Sequence, residues 1–243
     1  MPRILAIDWS GARTGARRST RIGEARDGVV RLRSGLDRRE VEELLLTERA
    51  PGLVVGIDFA FSLPAWFLHD RGLATARELW ELVAREGEQW LQSPQPPFWR
   101  ARKADALAGR EALRRTERAA GTAKSVFQLV GAGHVGTGSL RGMPMLARLQ
   151  DAGFRIWPFD PPEPPLVVEI YPRLLTGPLH RVDRAQRERR LDDFPEIEPA
   201  AKAQASASED AFDAAVSAAV MAREFDVRRL PEGDRLEGWI WSS

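Results

Sequence analysis

Cysteine is absent from the 243 residues, which removes disulfides, thiolate metal sites and cysteine nucleophiles. Histidine is nearly absent too: His69, His134 and His180 lie far apart, so a histidine-rich metal site is not expected. Lysine supplies only three of the 36 basic residues, Lys103, Lys124 and Lys202, and the cationic chemistry therefore rests on arginine. Arginine suits planar, two-pronged phosphate contacts, although a bias of the coding DNA produces the same excess. The formal net charge is +1, so no global field attracts nucleic acid and any such surface must be local. No apolar run approaches the roughly 20 residues of a membrane span. The apolar stretch at the N-terminus is only a few residues long and meets Asp8, unlike a signal peptide. The expectation is a cytoplasmic protein with no membrane partner. One α/β domain spanning residues 1–243, with an insertion, accommodates this length.

What the chain does have is a set of carboxylates placed where apolar runs end or a helix begins. Arg3-Ile-Leu-Ala-Ile-Asp8, Leu53-Val-Val-Gly-Ile-Asp58 and Leu166-Val-Val-Glu169 read as buried strands. Between the first two, Thr20–Ala25 and Val29–Arg33 flank Asp27-Gly28, a hairpin signal, and a helix is expected from Asp37 to Arg49. A right-handed crossover then lays the strand ending at Asp58 parallel to the strand ending at Asp8. Both acids fall at the C-terminal edge of one sheet, where ligands of open α/β folds bind. Each alone is explained as a turn former. As a pair on matching strand ends they suggest ligands for a hard divalent cation.

Asp210 and Asp213 are three residues apart and share one face of a final helix. Ser206 to Glu209 fits a capping box that puts Asp210 in the first turn, after a loose, alanine-rich approach over 195–208. Asp210 thus has a structural reason, the helix dipole. Asp213, deeper in and next to Ala214, Ala215, Ala218 and Ala219, needs a partner. For Glu169 three roles stand level: metal ligand, general base, or buried partner for an arginine.

Residues 65–158 break the strand rhythm and read as a predominantly helical insertion, with Phe154–Trp157 a candidate strand near its end. Gly131-Ala-Gly133-His-Val-Gly136 matches a dinucleotide fingerprint formally. Gly138, Gly142 and Pro144 spoil the helix that should follow, so a glycine-rich loop at a site rim is the better reading. Residues 99–124 hold eight basic side chains against three acids. Within and near them Trp99, Arg100, Arg102, Lys103, Arg114 and Arg115 are candidates for stacking on bases and meeting phosphates. The competing reading is a solvated helix with Trp99 in the core.

Together Ile7-Asp8-Trp-Ser-Gly11, Gly56-Ile-Asp58-Phe-Ala-Phe-Ser-Leu-Pro64, Val168-Glu169-Ile-Tyr-Pro172 and Glu209-Asp210-Ala-Phe-Asp213-Ala resemble the ribonuclease H-like superfamily. Within it they are similar to the group called domain of unknown function 429, whose members are described as predicted nucleases. The resemblance covers most of the chain apart from the insertion. It implies a mixed five-stranded sheet, its first three strands antiparallel, flanked by helices. By likeness to Holliday-junction resolvases it implies Asp8, Asp58, Asp210 and Asp213 as ligands for Mg²⁺ or Mn²⁺. Aspartate at 58 replaces the usual glutamate, leaving room for Glu169 to complete the site. The implied activity is nucleic-acid phosphodiester hydrolysis with two metal ions, with Asp8, Asp58, Glu169, Asp210 and Asp213 catalytic. Two other readings stay open. One is a nucleotide-dependent phosphotransferase of the actin and sugar-kinase type, whose first phosphate loop Asp8-Trp-Ser-Gly11 resembles. The other is a nucleic-acid-binding module without turnover.

Overall fold

The computed structural model describes residues 2–100, 107–130 and 135–242. The chain begins β1 (Arg3–Asp8), α1 (Ala16–Ser19), β2 (Arg21–Arg26), β3 (Val29–Ser34), α2 (Arg38–Thr47) and β4 (Leu53–Ile57). It continues through α3 (Ala65–Asp70), α4 (Ala76–Gln92), α5 (Arg115–Ala120), α6 (Val135–Asp151), β5 (Arg155–Ile156) and β6 (Leu166–Ile170). It closes with α7 (Pro172–Thr176), α8 (Arg184–Asp192), α9 (Pro199–Ala207), α10 (Glu209–Glu224), a 3₁₀ turn (Val227–Arg229) and β7 (Ile240–Trp241).

Among the described residues, seven strands form one mixed sheet in the order β3-β2-β1-β4-β6-β5, with β7 also on β6. The first three strands are antiparallel, and Asp27 and Gly28, both at positive φ (53° and 79°), make the tight turn between β2 and β3. β4 runs parallel to β1, pairing Ile57 with Ile7. The Asp58 amide continues this ladder by donating to the Ile7 carbonyl at 3.0 Å. The expected strand number of five is therefore corrected to seven. β5 pairs with the first half of β6 and β7 with its second half. Two-residue strands are too short to carry a period-2 signal, and β7 owes its place to pairing rather than to its own pattern.

Alternation along the strands sorts two hydrophobic layers. Ile4, Ala6, Val54, Val168 and Ile170 belong to the layer beneath α9 and α10, whereas Leu5, Ile7, Val55 and Val167 face the opposite layer, which includes the insertion. Helix α10 is buried from Ala211 through Met221 and lies very close to the sheet. A Cβ on Gly23 would fall 2.2 Å from the Ala214 carbonyl oxygen, and one on Gly56 2.6 Å from Met221 Sδ. Gly23→Ala is expected to cost about 1–3 kcal/mol through this overpacking. That corresponds to a Tm lower by roughly 2–12 °C, readable by thermal denaturation. An unchanged Tm would mean the helix rides farther from β2 than described.

Two regions depart from expectation, for opposite reasons. The approach over 195–208 is helix α9, started by Pro199 at its first turn and filled with alanines. The cap of α10 is consequently Ser208, whose side chain accepts from the Ala211 amide, and not Ser206, whose hydroxyl donates to the Ala203 carbonyl within α9. Helix α6 runs straight through Gly136, Gly138, Gly142 and Pro144. Two of those glycines stand where no Cβ fits. A Cβ on Gly136 would meet the Val126 carbonyl at 2.1 Å, and one on Gly142 the Phe59 ring at 2.5 Å. Close tertiary packing here outweighs poor helix propensity. Gly131, Gly133 and His134 lie outside the described residues.

Candidate functional site

The parallel register of β1 and β4 sets Asp8 beside Asp58 at the C-terminal edge of the sheet. Asp8 follows Ile4 and Ala6 at even spacing, so it faces the α10 layer, as does Asp58 after Val54 and Gly56. The first turns of α10 bring Asp210 and Asp213 to the same place, close enough that their charges act on Asp8. All four predicted metal ligands converge. Asp213 is 6% exposed, and its Oδ2 accepts from Arg181 while its Oδ1 has no hydrogen-bond partner. Asp8, Asp58 and Asp210 are partly buried.

Each of these carboxyls is held above the ordinary aspartate range. For Asp8 burial is the leading cause, followed by the charges of Asp58, Asp213 and Asp210. Asp58 is pushed up to about 8, chiefly by burial and then by Asp213. Asp213 rises to about 7 through burial, with Arg181 pulling the other way. Burial also raises Asp210, offset in part by Arg21. A carboxyl whose folded pKa exceeds the ordinary 3.8 binds its proton more tightly when folded. Its contribution is complete below about pH 4 and is lost as pH rises through about 7 for Asp213 and about 8 for Asp58. Chelator-treated protein is therefore expected to lose thermal stability from about pH 5 to about pH 8. Asp58→Asn, which deletes one of the crowded charges, should raise Tm by several degrees at the upper end and change it little at the lower. A lower Tm for this variant at about pH 8 would contradict a charge-strained cluster.

Glu169 points to the other face of the sheet, although its charge still reaches Asp58. It follows Val167 in register and faces the insertion, where the Phe61 amide donates to its Oε2 at 2.9 Å. The Arg114 guanidinium donates to both of its oxygens, at 2.9 and 2.5 Å, to Glu117 Oε1 at 2.9 Å and to the Glu237 carbonyl at 3.0 Å. Of the three roles open to Glu169, buried arginine partner is the one observed, and its charge also acts on Asp58. Arg114, expected to hold substrate, is 1% exposed and serves as the internal tie between insertion and sheet. It satisfies two carboxylates that burial would otherwise make costly.

The remaining basic candidates divide. Trp99 is 8% exposed, its ring 6.4 Å from that of Phe127, and its carbonyl accepts from the Leu129 amide at 3.0 Å. It belongs to the core and is not available for stacking on bases. Arg100 is exposed and donates to the Leu91 carbonyl at 2.5 Å. Arg115 is exposed and pairs with Asp234 at 3.3 Å. Arg102 and Lys103 lie outside the described residues.

The sequence reading missed the cations that do meet the acids. Arg181 sits in the loop between α7 and α8 and contacts Asp213 directly. Arg21, opposite Asp8 on β2, acts on Asp210, and Arg173 acts on Asp213. Arg21 was legible in principle, since the hairpin register sets it against Asp8. Arg181 carries no periodic or motif signal.

An all-oxygen donor set with one buried oxygen lacking a partner suits a hard divalent cation. Among the described residues, however, no three His, Asp or Glu side chains already stand at mutual ligand spacing. No helix among them is long and apolar enough to cross a membrane. These features define an α/β protein with a mixed sheet and an acid cluster at the C-terminal strand edge. Comparison of the chain with protein-family models, curated proteins and solved structures found no match.

Proposed function

We propose that this protein is a metal-dependent phosphodiesterase acting on nucleic acid, built on a ribonuclease H-like sheet. The observation that carries the reading is the convergence of Asp8, Asp58, Asp210 and Asp213 on one sheet edge with a buried Asp213 oxygen left without a partner. The strand order β3-β2-β1-β4-β6, with its antiparallel start, supports the same superfamily. Asp8, with Asp58 beside it on the next strand and the α10 acids close by, would be a ligand of Mg²⁺ or Mn²⁺. Asp58, Asp210 and Asp213 would complete the two ligand sets. Such ions supply an activated water and steady the oxygen that leaves in an in-line displacement. The chain's own share is to hold four carboxylates where burial makes each of them seek a cation. Arg21, Arg173 and Arg181 stand around them and offer positive charge to a phosphate backbone. The exposed Arg100 and Arg115 extend that field on the insertion.

Incubation of labelled single- and double-stranded DNA and RNA with Mn²⁺ tests the reading. A product that forms with Mn²⁺, vanishes with chelator and is missing with Asp8→Asn is expected. Intact substrate in all four cases would sink it.

A further inference from the structure

The cation now paired with the acid cluster belongs to the chain itself. Arg181 contacts Asp213 Oδ2 while Oδ1 of the same carboxylate stays unpartnered, so half of the ligand is engaged and half is open. The position of Arg181 is built from behind. The buried Arg187 guanidinium donates to the Arg181 carbonyl and, at 3.1 and 2.6 Å, to the Ser206 carbonyl. Ser206 lies just before Ser208, the cap of the helix that carries Asp210 and Asp213. One side chain thus locks the Arg181 backbone to the base of the acid-bearing helix. The Arg181 side chain itself is freer. It keeps 21% of its side-chain surface in solvent, and the adjoining Val182 is 79% exposed.

We propose that Arg181 is the resident counter-cation of the acid site, released from Asp213 when a divalent cation enters and then free to grip the substrate phosphate. This rests on the metal-dependent reading above. Two positive groups on one carboxylate repel each other, and the buried setting strengthens that repulsion. Only the side chain has room to yield. A guanidinium freed at this rim presents a planar fork suited to a phosphate diester. The arrangement gives the metal-free cluster one counter-charge and makes phosphate binding depend on metal loading.

Calorimetric titration of the 243-residue chain with Mn²⁺, without substrate, tests the release. Removing a resident competitor raises apparent affinity by the factor that competitor imposed. Arg181→Met is expected to bind Mn²⁺ about tenfold more tightly, and Arg181→Lys to stay near the parent value. Arg181→Gln, which can still donate to Asp213 without charge, serves the same purpose should Met disturb folding. In Mn²⁺ the KM for a labelled oligonucleotide is expected to rise about tenfold in the Met and Gln variants and to recover in part with Lys. Unchanged or weaker Mn²⁺ binding by Met and Gln, alongside loss of binding in Asp8→Asn, would leave Arg181 a structural partner and overturn the proposal. An unchanged KM would overturn its phosphate half. A parent protein whose Mn²⁺ binding is absent, or survives Asp8→Asn, would instead bring down the metal-dependent reading itself, and this proposal with it.

Discussion

Arg114→Ala is expected to be the most damaging single substitution away from the acid cluster, costing about 3–5 kcal/mol. The side chain is 1% exposed and its guanidinium is shared between Glu117 and Glu169, themselves 2% and 3% exposed. Truncation strands two carboxylates in the interior. Burial already raises Glu117, which Arg114 holds back. For a chain of this size about 2–4 °C of Tm goes with each kcal/mol, so a loss of roughly 6–20 °C is expected in thermal denaturation. The same triad replaced as a unit by apolar residues of similar volume should recover much of that loss, because the cost lies in the stranded charges. Equal damage from the single and the triple change would show that Arg114 matters for its shape alone.

Asp8→Asn is expected to leave the fold intact and to lower kcat/KM for Mn²⁺-dependent cleavage by about a thousandfold. A metal-bound transition state draws several kcal/mol from its ions, and each 1.36 kcal/mol is tenfold in rate. The amide is isosteric but neutral, and Asp8 is the carboxylate on which the charges of Asp58, Asp210 and Asp213 all act. Loss of one crowded charge should also leave chelator-treated Asp8→Asn at least as stable as the parent at about pH 8, the behaviour expected of Asp58→Asn. Full activity in a folded Asp8→Asn protein would remove this residue from the chemistry. A variant that simply unfolds is excluded by recording its Tm alongside the rate.

Much of the frame was legible in the chain. The apolar runs at 3–8, 53–57 and 166–170 announced buried strands because continuous β-compatible hydrophobicity has few other solutions in a folded domain. The Asp27-Gly28 turn announced the hairpin because its geometry demands two residues that tolerate positive φ. From these local rules follow the parallel pairing of β1 with β4 and the meeting of Asp8 with Asp58. Asp210 and Asp213 were legible because helical spacing places residues three apart on one face.

What only the tertiary structure decided were matters of direction and partnership. Whether Glu169 faced the four aspartates or the insertion depended on one step of strand register, which flips a side chain across the sheet. Whether Arg114 and Trp99 met solvent or the interior depended on how the insertion folded back, because a basic stretch looks the same in sequence whether its charges are solvated or buried in pairs. Helix α6 carries Gly136 and Gly142 where the Val126 carbonyl and the Phe59 ring leave no room for a Cβ. Arg181 reached Asp213 across 32 residues of chain. Local propensity and periodicity reach a few residues along the chain, whereas these outcomes turn on which distant groups compete for the same buried space.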